Sequence, residues 1–410
     1  MFRRFSVRSA ALLICVWANP LQATPSAPDI APLAARVVWE RAYQAPPAVH
    51  PTELVSPHPG IEGLFFDNVP YQGNPTRVFA WMGIPPSEDG RPVPGIILIH
   101  GGKGTAFVNW VKLWNDRGYA AIAYDTSGSL PFPPQADPRP RHAHSGPGGW
   151  GGFHQAAGPV ADHWTFHAVT AAIRAHALLR SQPGVDPARI GATGVSWGGY
   201  LTAILAGVDP HLAFAAPVYG CGFTADTTFG KRLRSLPPPQ SERWLSLWDP
   251  VHYLPAAKLP ILWVNGTNDA FFFPPPWQAS HQLAPGTATV SLLPNLPHNQ
   301  QTGSALSEVA AFADSVVRGA PPLPRVLRAT QVGQQLRAPF VASTPVVRAE
   351  LVYTADDSSP WPERPWTAVP ARLGPNTIDA DLPQDARHAF LNLIDERGLV
   401  SSSDFIAIVQ

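Results

Sequence analysis

The stretch GVSWGGY, at 194–200, joins a strand-like run at 190–194 to the helical run GYLTAILAG. A serine between glycines at a strand-to-helix junction constrains the fold strongly. The turn must be sharp enough to lift the serine oxygen above a sheet, and glycines tolerate the close backbone contacts this requires. Alone, G-x-S-x-G also occurs by chance in glycine-rich turns; the flanking strand and helix give it mechanical meaning here. Ser196 is therefore the expected nucleophile.

The same alternation of short apolar runs and helical ones continues along the chain, as in a parallel sheet covered on both faces. Strands are expected at 95–99, 120–124, 190–194, 214–219, 261–265 and 287–293, after a hairpin of 64–69 and 77–84 around the turn residues 71–75. One connecting helix places Phe107, Trp110, Val111 and Trp114 on one face, with Gly118 as its stop. A longer one, WTFHAVTAAIRAHALLR, has Asp162 as its expected cap. The proline- and alanine-rich residues 24–60 read as an extended lead-in, and GAPPLP at 319–324 as a linker. Residues 325–410, with runs such as VVRAELVYT and no helical period, read as a small all-β sandwich. The catalytic unit is expected over 61–320.

The N-terminus, MFRRFSVRSAALLICVWANPLQATPSAPD, has the arginines, short apolar run and small-residue cleavage site of a secretory signal peptide over 1–23. An exported or periplasmic protein without stable membrane insertion is the expectation, against an uncleaved anchor. Cys15 belongs to that segment and follows Ile14, a poor context for lipid attachment, so Cys221 stands alone afterwards and no disulfide is expected. Basic and acidic side chains balance at 29 each, and charged residues make up only 14%. No electrostatic footprint for nucleic acid follows from that balance, and small neutral substrates suit it better.

A serine hydroxyl needs a base, and the base an orienting acid. In this fold class the acid follows a later strand and the histidine follows the last one. Asp269 follows PILWVN, and His298 follows TVSLLP. Fourteen histidines offer rivals: His281 in a helix, His100 bracing a loop, His167 and His176 packing in the long helix. Asp226 is the alternative acid, and Asp125 and Asp249 read as structural. The oxyanion donors are expected to be the amides of Trp197 and of Gly102 in the loop His100-Gly101-Gly102-Lys103-Gly104. The irregular segment 130–155 reads as a pocket wall or lid. Lys103, Trp150, Phe153 and Tyr219 are the candidate pocket residues. His142 and His144 lack the further ligands of a metal site, Asp356-Asp357 reads as a turn, and neither metal nor cofactor is called for.

With these residues in place, the sequence resembles the α/β-hydrolase superfamily, within it the group of prolyl oligopeptidases, dienelactone hydrolases and acetyl xylan esterases. The resemblance covers residues 64–319 and is carried by DHWTFHAVTAAIRAHALLRSQPGVDPARIGATGVSWGGYLTAILAGVDPHLAFAAPVYGCGF and WDPVHYLPAAKLPILWVNGTNDAFFF. It implies an eight-stranded, mostly parallel sheet flanked by helices, and a catalytic triad of Ser196, Asp269 and His298. Two departures stand out: Gly102 occupies the place of a tyrosine common in the acetyl xylan esterases, and no propeller domain precedes the sheet. The expected activity is a serine carboxylesterase acting on a small-molecule or carbohydrate ester. The alternatives are a peptidase or amidase, and a carbohydrate-binding or scaffold protein with an idle site; oligomeric state is left open.

Overall fold

The computed structural model describes residues 33–87, 89–131 and 139–409. The signal-peptide reading therefore lies outside the described residues. The main sheet has nine strands: β1 (Val49–His50), β2 (Ile61–Asp67), β3 (Arg77–Gly83), β4 (Val93–Ile99), β5 (Ala120–Tyr124), β6 (Val185–Val195), β7 (Ala215–Val218), β8 (Ile261–Gly266) and β9 (Ala288–Leu293). Their spatial order is β1-β2-β3-β5-β4-β6-β7-β8-β9. β1 to β3 pair antiparallel, as does β3 with β5, and every pair from β5 to β9 is parallel. The eight expected strands are all present; the ninth, β1, is a two-residue edge too short to carry a hydrophobic alternation.

β4 shows why these strands read as unbroken apolar runs. All seven of its residues are buried, with Ile97 and Ile99 in one core and Ile96 and Leu98 in the core on the opposite face. Helices cover both faces: α1 (Leu33–Gln44), α2 (Val108–Asn115), α3 (Trp164–Arg180), α4 (Trp197–Val208), α5 (Gly230–Arg234), α6 (Pro238–Trp248), α7 (Pro274–His281), α8 (Gln300–Ser304) and α9 (Ser307–Arg318).

Two expectations need correction, and a third, the wall or lid over 130–155, is narrowed. The lead-in over 24–60 is not extended throughout, because α1 packs on α3 through Ala35, Trp39 and Ala42, spaced for one helical face. The Trp39 indole N–H donates to Thr170 Oγ1 at 3.1 Å. Flanking prolines mask this short period in the sequence. Second, His163 and not Asp162 is the α3 cap residue, without a side-chain cap bond, and the Asp162 carboxylate accepts instead from the Gln72 amide at 2.9 Å. Third, the described part of the 130–155 segment is a fixed wall. The Trp244 indole donates to Gly151 O at 2.5 Å, Arg141 donates to Ser127 O and Gly146 O, and Phe153 is only 1% exposed.

Residues 325–409 form two antiparallel sheets enclosing a separate core of Leu336, Leu351, Ile378, Leu391 and Leu393. The outer face of one sheet presents Val352 and Phe390 to the core of the main unit. The strand His388–Asp395 is consequently apolar on both faces, which is why its sequence shows no alternation.

Close backbone contact seats α4 on the sheet. A Cβ on Gly198 would lie 1.9 Å from Ile99 O, and one on Gly194 would lie 2.2 Å from Gly198 O. Neither obstacle is a flexible side chain. Gly198→Ala is expected to cost about 2–3 kcal/mol or more, read as a lowered denaturation midpoint of the full chain. A second prediction concerns pH. Burial, the largest cause, lowers the pKa of His142 and of His167 to about 4. The unfolded chain then binds protons below about pH 6.5 that the folded chain refuses until about pH 4, so stability falls across that window as pH drops. A His167→Gln variant should lose less stability than the parent between pH 7 and pH 4.5, measured by urea midpoints.

Candidate functional site

Ser196 occupies the turn between β6 and α4 with φ +61° and ψ −119°. Such a conformation costs a non-glycine residue about 1–3 kcal/mol. Bonds on both sides hold it: the Ser196 amide donates to Val218 O at 2.8 Å, and Ser196 O accepts from the Tyr200 amide at 2.9 Å. Trp197 begins α4, so its amide belongs to the first turn, where the N–H groups have no partner within the helix.

The chain leaves β4 on one side for β5 and returns on the other for β6, so the carboxyl ends of β4 and β6 open onto a crevice. This brings the loop His100-Gly101-Gly102-Lys103-Gly104 against the serine. A Cβ on Gly101 would lie 2.8 Å from Ser196 Cβ and 3.5 Å from its Oγ; one on Gly102 would lie 3.0 Å from Trp197 Cδ1. His100 is buried and fixes the loop, its Nδ1–H donating to Gly101 O at 2.8 Å while Nε2 accepts from the Thr126 amide at 3.0 Å. Lys103 is exposed with φ +58°.

Asp269 and His298 meet on neighbouring loops, after β8 and β9. His298 Nδ1 donates to Asp269 Oδ2 at 2.5 Å, while Asp269 Oδ1 accepts from the Phe271 and Phe272 amides at 2.8 and 2.7 Å. A carboxylate accepts only, so the proton sits on Nδ1 and Nε2 keeps its lone pair for a substrate-side proton. Asp269 is 1% exposed, and the His298 side chain 12%. Among the described residues no hydrogen bond joins Ser196 Oγ to His298; in hydrolase sites without substrate this contact is often long and tightens on binding.

The rival residues are engaged elsewhere. Asp226 is exposed in a short 3-10 turn. Asp249 accepts from the amides of Phe223, Thr224 and Val251, and Asp125 from those of Ser127 and Ser129. His281 ends α7, and His176 is bonded to buried Asp209. His142 packs on Phe65.

Of the four candidate pocket residues, two are sealed. Phe153 packs on Trp244, ring centres 4.6 Å apart, and Tyr219 is fully buried. Tyr219 supports the site from behind, its ring 4.7 Å from that of His298 and its hydroxyl donating to Pro297 O at 3.0 Å. Trp150, partly exposed, stands over Gly102. A residue absent from the sequence reading is Phe271, 43% exposed, with its ring 4.7 Å from that of His298. The run of three phenylalanines at 271–273, one residue beyond Asp269, was the available signal. Cys221 is a free, buried thiol whose pKa burial pushes well up, so it stays protonated and inert.

Residues 63–228 match the family model for acetyl xylan esterase (AXE1), and residues 233–360 match that for PhoPQ-activated pathogenicity-related protein. No protein of curated function matches the chain. Among solved structures, acetyl xylan esterase 1 from Thermoanaerobacterium sp. JW/SL YS485 superposes with a TM-score of 0.54 at 16% identity, covering 72% of this chain and 95% of that one. The acetyl xylan esterase from Paenibacillus sp. R4 gives 0.50 at 22% identity, covering 67% and 92%. At these identities the likeness speaks for the fold, and the fold, the serine elbow and the family match together make the chain a member of the α/β-hydrolase superfamily.

Proposed function

We propose that this chain is an exported serine carboxylesterase that removes small acyl groups, acetyl foremost, from a small-molecule or carbohydrate ester. The observation that carries the reading is the strained Ser196 turn facing the Gly101-Gly102 loop, with the Asp269–His298 hydrogen bond on the adjoining loops. The acetyl xylan esterase model over 63–228 supports the ester class. The signal-like N-terminus supports export, and no described helix is long and apolar enough to cross a membrane.

In the proposed reaction Ser196 Oγ attacks the ester carbonyl while His298 Nε2 takes its proton. The amides of Trp197 and Gly102 donate to the oxyanion, where charge develops in the transition state. His298 then returns the proton to the departing alcohol, leaving an acyl-enzyme, and activates a water that releases the acid. Asp269 keeps the Nδ1–H tautomer and stabilises the imidazolium. Trp150 and Phe271 are the aromatic surfaces that flank the bound ester, and Lys103 stands at the rim.

Ser196→Ala is expected to lower turnover of a chromogenic acetate ester by about 10⁴-fold or more. A fluorophosphonate should label the parent protein at Ser196 and leave the variant unlabelled. Undiminished turnover in the variant would sink the assignment. Faster cleavage of aminoacyl amides than of acetates would turn the reading toward a peptidase.

A further inference from the structure

The segment that carries both Asp269 and His298 is tied to the C-terminal sandwich at three successive places. Before the acid, both amide hydrogens of Asn268 are used, donated to Pro362 O at 3.0 Å and Arg364 O at 2.7 Å. Its side-chain oxygen accepts from Thr267 Oγ1 at 2.8 Å, and that hydroxyl accepts in turn from the Asn295 amide at 3.0 Å, three residues before His298. After the acid, the Gln278 side chain on α7 brackets the backbone of Phe405, donating to its carbonyl at 3.0 Å and accepting from its amide at 2.8 Å. His281, at the end of the same helix, lies 3.0 Å from the Asp404 carboxylate. On β9, the strand that leads to His298, the Leu292 amide donates to Ser402 Oγ at 2.8 Å.

The sandwich side of this junction is itself rigid. Arg364 is buried, its guanidinium donates to Ser359 O and Asp357 O, and it lies over the Trp361 ring at 4.1 Å from the centre. Trp361 packs on Phe405 with ring centres 5.4 Å apart. The carbonyls offered to Asn268 therefore come from a fixed loop. A module tethered for its own purposes has no need to bond the residue next to the acid, the helix after it and the strand before the histidine.

We infer that the C-terminal sandwich is a working part of the active site, with Asn268 and Gln278 as positioning residues that hold the Asp269–His298 pair in register. Among the described residues their side-chain hydrogen bonds go to Thr267, Pro362, Arg364 and Phe405, and none goes to Ser196 or His298. This rests on the proposed roles of Asp269 and His298. Loosening the clamp lets the imidazole drift from its line to the serine, and misplacement of about 1 Å can cost about 10²-fold.

The test is made on the full chain with Asn268→Ala, Gln278→Ala and the double variant. Hydrogen exchange by mass spectrometry should rise at least tenfold over 266–273 in each variant, where the Phe271 and Phe272 amides bond Asp269, while 190–195 in the sheet centre stays protected. Turnover of the acetate ester should fall about 10- to 100-fold in kcat, with KM changed less than threefold. The double variant should fall short of the product of the single effects, because both act through one clamp. Unchanged exchange over 266–273, or faster exchange confined to 325–409, overturns the inference. If one variant does not fold, the other decides. If the parent shows neither ester turnover nor probe labelling, the esterase reading fails separately, and the exchange result alone judges the clamp.

Discussion

The contact on which the rest depends is the seating of α4 against the carboxyl end of β4. With Gly198 so close to Ile99 O that a methyl group has no room, the helix axis and the end of β6 are fixed together. The residue between them has to turn through a positive φ, and that residue is Ser196. Its local cost is met by the Val218 and Tyr200 bonds, and the reward is a hydroxyl raised above the sheet next to the His100–Gly104 loop. The same contact fixes where α4 starts, so its first amides, which have no partner within the helix, lie directly after Ser196. One steric constraint thus fixes the turn at Ser196 and sets that serine beside the glycine loop.

Around this point the protein uses neutral, buried supports more than charge. His100 holds the glycine loop through a carbonyl and an amide. Tyr219, itself at positive φ, backs His298 with its ring and remains a neutral donor because burial raises its hydroxyl pKa. Asp269 satisfies its carboxylate with two amides and one imidazole. A chain with few charged residues surrounds these side chains with backbone donors and aromatic rings, chemistry that suits the neutral ester proposed above.

The main architecture was legible because β4, β5, β7 and β8 are buried along their whole length and their sequences carry little besides the apolar run. The Ser196, Asp269 and His298 positions were legible for a related reason: each sits where a strand ends, and strand ends are marked by polar and glycine-rich text such as GTND and NLPHNQ. What escaped was short, exposed or masked by its flanks. Helix α1 is concealed between prolines, β1 has two residues, and Phe271 looks like one apolar residue among three. The Asp162 cap failed because the carboxylate had a competing partner, the Gln72 amide, which is distant in sequence.

By itself the sequence determined the layered α/β fold, the elbow at Ser196 and the chain order of its expected partners, since periodicity and strand-end chemistry are local properties. The tertiary structure decided which aromatics face outward, turning Phe153 and Tyr219 inward and leaving Phe271 and Trp150 at the surface. It also decided what the C-terminal sandwich touches. Asn268 and Gln278 are ordinary polar residues in the text, and their partners lie about a hundred residues away. A hydrogen bond between distant segments leaves no periodic trace, so only the packing of the two cores brings it into view.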